Sequence, residues 1–206
     1  MAGHRPGWPV AGRRYPAAVR AAWQEWGHVV VVTLALVPVA AAVAVALARW
    51  RVGRGAAAAV AWRHSVAEVG VVLGTAPWLW MILTPRAGAG EVRPVPLRDL
   101  AGQLAGDPGV AVAQVGGNLL VLAAFGALAP LRFRVLTRVP VLLGVAAAGS
   151  LAVETLQYAL MLGRVSSVDD VLLNTTGAGL ASLTTRRWWR GPPAGGDPEA
   201  AGPPRS

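Results

Sequence analysis

The chain has 206 residues, 54% of them apolar, and carries a formal net charge of +9, a length that fits one domain or one bundle with tails. All 19 basic residues are arginine and there is no cysteine, which excludes disulfides and thiolate metal sites. The arginines flank long apolar runs, so the charge points to anionic lipid and membrane orientation, not to nucleic acid.

Residues 1–27 read as a basic leader that becomes interfacial near Trp23 and Trp26. The apolar run behind them starts too late and runs too long for a cleaved signal peptide. Runs of spanning length follow at residues 28–48, 66–84, 109–131, 140–162 and 168–185. Spans of this length without strand-like alternation satisfy their backbone in lipid only as helices. The predicted fold class is therefore all-α, a polytopic transmembrane helix bundle of about five spans over residues 28–190. Between the second and third spans lies a polar, charge-balanced loop, residues 86–108. Trp188 and Trp189 among Arg186, Arg187 and Arg190 read as an interfacial anchor. The Gly- and Pro-rich tail, residues 191–206, is expected to be disordered. The loops at residues 49–65 and 132–138 and the segment 186–190 are rich in arginine and fall on one side. The positive-inside rule makes that side, with the C-terminus, cytoplasmic in a multi-pass protein of the cell membrane.

Polar residues interrupt the apolar pattern mainly around one turn. Glu154, Gln157, Arg164, Asp169, Asp170 and Asn174 lie in or between the last two spans, and ionisable groups in a span usually face the protein interior with a partner. Depth arithmetic brings three of them level with one another. Counting from the same membrane side, Asn118 lies roughly 14 Å deep, Glu154 roughly 12 Å and Asn174 roughly 9 Å. Asp170 and Asn174 are four apart and Glu154 and Gln157 three apart, so each pair shares a helix face; His64 and Glu68 are also four apart. Gly177 and Ala181 continue the Asn174 face as a small-residue seam, with Gly116, Gly117 and Ala124 as counterparts on the third span. Simpler roles compete at most positions. Ser166 or Ser167 caps the last span, Asp169 and Asp170 balance its dipole, Arg164 pairs with either aspartate, and the asparagines fix helix packing. Glu154 is the position least easily explained by packing. His64 and Glu68 make only half a metal site, so no metal and no cofactor are expected. No nucleotide loop, nucleophile elbow or metalloprotease motif is present.

The sequences GNLLVLAAFGALAP (117–130), ETLQ (154–157) and RVSSVDDVLLNTTGA (164–178) together resemble the VanZ-like family of bacterial membrane proteins, over about residues 116–183. Asn118, Gly126, Pro130, Glu154, Gln157, Arg164, Asp169, Asp170, Asn174 and Gly177 match the family pattern. Leu122 stands where the family has Phe and Ala124 where it has Pro, which predicts a straighter third span, because a helix-interior proline kinks. The family's founding member is associated with low-level resistance to the glycopeptide teicoplanin, so the resemblance implies an envelope-facing membrane protein with a link to glycopeptide susceptibility.

The leading functional expectation is non-enzymatic. Asn118, Glu154, Gln157, Arg164, Asp169, Asp170 and Asn174 form an intramembrane site facing the outer leaflet. That site binds membrane lipid, a lipid-linked cell-wall precursor or another amphiphile, with Arg164 on phosphate or carboxylate. The alternative is an enzyme on a lipid-linked or phosphorylated substrate, with Glu154 as general base and Asp169 or Asp170 as acid or metal ligand. A small transporter is the third reading, and five spans without an inverted repeat give it little support.

Overall fold

The computed structural model of the chain describes residues 14–88 and 90–189; the start of the leader, Arg190 and the tail lie outside the described residues. Helix α1 (Arg14–Gly53) runs for 40 residues, roughly 60 Å at the α-helical rise. The leader from Arg14 onward is thus continuous with the first span, because nothing between residues 14 and 28 stops the helix. Arg54–Gly55 ends it, with Gly55 at φ +92°. Helix α2 (Ala58–Leu83) returns antiparallel along α1. Small residues make the seam: Ala44 and Ala48 on α1, and Ala61, Ser65 and Ala67 on α2, are all buried. Thr84, forced extended by Pro85, ends α2 at φ −71° and ψ 125°.

The segment after α2 is more ordered than a polar loop. Strand β1 (Glu91–Arg93) pairs in parallel with β2 (Val165–Ser167), Val92 opposite Ser166. Helix α3 (Arg98–Ala105) follows. Asp107 then caps helix α4 (Pro108–Val121), its carboxylate accepting from the Gly109 amide at 2.8 Å, with Pro108 at the first helical position.

The third span is not straight. It breaks at Leu122 (φ −109°, ψ 12°) into α4 and α5 (Ala123–Arg132), although Ala124 replaces the family proline. The cause is contact with the last helix. A Cβ on Gly177 would fall inside the Leu119 carbonyl oxygen, and one on Gly126 inside the Ala178 carbonyl oxygen, so backbone meets backbone on both sides of Leu122. Of the seam residues expected on this span, Gly116 and Gly117 face open space, and Ala124 packs on Gly74 of α2.

Helix α6 (Val139–Ala159) and helix α7 (Val168–Thr185) complete the bundle. Their connection reverses through Met161 (φ 50°) and Gly163 (φ 67°), where a Cβ would collide with the Arg86 carbonyl. Ser167 caps α7, its Oγ accepting from the Asp169 amide at 3.2 Å. Four stretches, Trp23–Gly53, Ala58–Leu83, Pro108–Arg132 and Val139–Ala159, are long and apolar enough to cross a membrane. By composition α7 is not one of them. It packs against α4, α5 and α6 instead, with Asp169, Asn174, Ser182 and Thr185 buried.

At the arginine-rich end, the Glu68 carboxylate accepts from Arg51 and Arg132, and Arg51 also donates to Ser65 at 2.6 Å. Glu68 therefore ties α2 to the ends of α1 and α5, and its half-metal-site pairing with His64 gives way to two guanidinium groups. Among the described residues no group of three His, Asp or Glu side chains is placed to hold a metal.

Candidate functional site

At the opposite end, where α2, α4, α6 and α7 converge beneath the β1–β2 pair and α3, the bundle forms an open-mouthed polar cavity of about 440 Å³. Six of the seven predicted site residues line it: Asn118, Glu154, Gln157, Arg164, Asp170 and Asn174. Asp169 does not. Consecutive helical residues point about 100° apart, so Asp170 turns to the cavity while Asp169 turns to α3. The Asp169 carboxylate is 2% exposed and accepts from the amides of Leu97 and Leu100, the latter at 2.9 Å. It thus satisfies the first turn of α3 and holds Leu97 at φ 64°, which a leucine rarely adopts. Both Asp169 oxygens thus face α3 and not the cavity.

Two other predicted residues also act as helix caps. Gln157 donates through Nε2 to the Ile82 carbonyl at 2.8 Å. Arg164 donates through Nε to the Thr84 carbonyl at 3.1 Å and through Nη2 to that of Met81. Both satisfy orphan carbonyls at the end of α2, where a cation also complements the helix dipole. Arg164 therefore pairs with backbone and not with Asp169 or Asp170. Burial and the nearby Arg86 charge push its pKa down from the ordinary arginine value.

The remaining four keep bonding capacity toward the cavity. Glu154, 8% exposed, accepts from the Ser167 amide at 3.2 Å, and Ser166 donates to its main-chain carbonyl at 3.1 Å. Asn118 donates to Asp170. Asn174, 3% exposed, donates to Ser150 at 2.8 Å and leaves its Oδ1 without a partner. The three deep residues Asn118, Glu154 and Asn174 thus share one cavity without bonding one another.

Sequence reasoning missed the cavity's outer wall, which comes from the segment between α2 and α4. Arg93 donates to Glu91 at 2.9 Å and Asp99 at 3.1 Å, and Ser167 donates to Asp99 at 2.8 Å. The bonds to Glu91 and Asp99 hold Arg93 above its ordinary pKa, and Arg93 in turn holds Glu91 below its own. Gln103 and Gln114 complete this wall. One signal was available: Asp99 and Gln103 are four apart, on one face of a short amphipathic helix.

Beside the polar cavity runs an apolar groove of about 480 Å³, with Trp26, Trp78 and Met81 on one flank and Ala113 and Gly117 on the other. Ile82, Arg86, Gln114, Asn118, Val121 and Arg164 belong to both spaces. Arg86 is anchored there by Glu25 and by the Trp26 ring, 5.3 Å from its centroid.

Residues 71–189, more than half of the chain, match the family model described as VanZ/LLP1. The match begins in the middle of α2 and ends just past α7, so it takes in every residue that lines the polar cavity. Searches of curated proteins and of solved structures give no match.

Proposed function

The chain belongs to the VanZ-like family, and from that premise we propose that its membrane bundle holds an amphiphile, headgroup in the polar cavity and apolar part along the adjoining groove. The observation that carries this reading is the shared wall: a polar chamber and an apolar channel join through six common residues, a shape matched to a molecule with both characters. The reading needs no nucleophile and no metal. Native mass spectrometry of the full chain in mild detergent tests it. A Cβ on Gly117 meets nothing and Gly117 lines the groove, so Gly117→Leu puts its bulk into that space with no clash at Cβ. Wild type should retain lipid and Gly117→Leu should lose it by about tenfold or more. Equal retention, or two lipid-free proteins, would sink the proposal. Conversion of the retained lipid by wild type but not by Glu154→Gln would point instead to the enzymatic reading.

The same site bears on orientation. The arginine-rich ends of α1, α5 and α7 lie opposite the cavity, so the positive-inside rule puts the C-terminus in the cytoplasm and the cavity in the outer leaflet of the cell membrane. An outer-leaflet amphiphile site is also the route by which the chain would affect glycopeptide susceptibility. The natural chain has no cysteine, so single replacements report cleanly. Met161, 89% exposed at the cavity end, should react as Met161→Cys with an impermeant maleimide on intact cells. Ala56→Cys should react only after permeabilisation. The opposite pattern would invert the topology and put the site in the inner leaflet.

A further inference from the structure

We propose that the polar cavity recognises a primary ammonium group, so that the amphiphile it holds carries an amine-bearing headgroup; this rests on the amphiphile reading above and adds the chemistry of the head. Each guanidinium that lines the chamber already donates to an oxygen of the protein. Arg164 donates to two carbonyls of α2, Arg93 to Glu91 and Asp99, and Arg86 to Glu25. Facing them is acceptor surface that no donor of the protein fills. Asp170 takes its hydrogen bond from the Asn118 amide, and the charges that act on it are those of Asp99 and Asp169, with no cation among them. Glu154 feels the charge of Asp170 and, less strongly, that of Arg164. The Asn174 Oδ1 on the next turn of α7 is buried without a donor, and so is the Gln103 Oε1 on the outer wall.

A carboxylate withdrawn from water among other carboxylates is costly unless a cation and hydrogen-bond donors meet it. A phosphate alone would add negative charge to that set. A sugar or glycerol hydroxyl would supply donors and leave the charge uncompensated. Among the described residues no three His, Asp or Glu side chains come together as a metal would favour. A primary ammonium answers both needs, with one positive charge and three N–H donors for the acceptors of Glu154, Asp170 and Asn174.

The test compares headgroups on one set of acyl chains. Purified full-length chain is titrated with short-chain phosphatidylethanolamine, phosphatidylcholine and phosphatidylglycerol, and retention is read by native mass spectrometry. Phosphatidylethanolamine should be held about tenfold better than either of the others. Phosphatidylcholine keeps the charge and loses every N–H, so equal binding of it overturns the assignment. Stronger binding of phosphatidylglycerol overturns it too, while leaving the amphiphile reading in place. A wild type that holds none of the three removes both. Chain-free glycerophosphoethanolamine separates the sources: weak competition supports a membrane lipid, and full competition supports the ammonium site with a soluble amine as its ligand. Asp170→Asn, close in shape to the native residue, should abolish the headgroup preference.

Discussion

Gly177→Ala should strongly destabilise the bundle, whereas Gly116→Ala, one helix away, should leave it unchanged or slightly firmer. The added methyl at Gly177 would lie within the Leu119 carbonyl oxygen, and the atoms in its way are main chain, which cannot rotate aside. Overpacking a well-filled contact costs typically 1–3 kcal/mol, and here the upper end, about 3 kcal/mol, is expected because α7 must separate from α4 along its length. Gly116 meets nothing, so alanine there only reduces the conformational freedom of the unfolded chain. Thermal melting of both variants in the same detergent checks the contrast. Similar midpoints for the two would show that α4 and α7 do not touch through backbone.

Asp169→Ala should free α3 from the bundle while the spanning helices stay folded. The carboxylate supplies two charge-assisted bonds to α3 amides and maintains an unfavourable backbone conformation at Leu97. Losing them should cost about 3 kcal/mol locally, which corresponds to amide exchange faster by about a hundredfold in residues 97–105. Hydrogen exchange read by mass spectrometry gives the answer. Asp170→Asn is the control, because Asp170 touches Asn118 and not α3. Equal acceleration in both variants would mean that the aspartates act as one charged patch.

The sequence and the structure agree where side-chain chemistry alone decides. Apolar runs located the helices, and the depth of Asn118, Glu154 and Asn174 brought them to one level because helical rise is constant. Where the deciding partner is backbone, the sequence is silent. Arg164 was expected to find an aspartate, yet it caps carbonyls of Met81 and Thr84, atoms that every residue possesses. The break at Leu122 follows from main-chain contact with α7, so the missing proline at Ala124 was the wrong sign to read. The β1–β2 pair escaped for a related reason. Three residues paired in parallel with three others more than seventy positions away leave no periodicity. Adjacent aspartates were alike in sequence, and only the packing of α3 on α7 gave Asp169 and Asp170 different work.

The polarity of α7 also dictates how such a chain must be built. With Asp169, Asp170 and Asn174 in its first two turns, α7 is a poor guest in lipid by itself. Its polar face becomes tolerable only once α4, α5 and α6 are present to receive it. Those three precede it in the chain, so a ribosome delivers the hosts before the guest. Biogenesis is thus ordered: the apolar helices enter the membrane on their own hydrophobicity, and α7 joins them as the closing step. The cavity comes into being at that moment, its two walls meeting when the last helix docks.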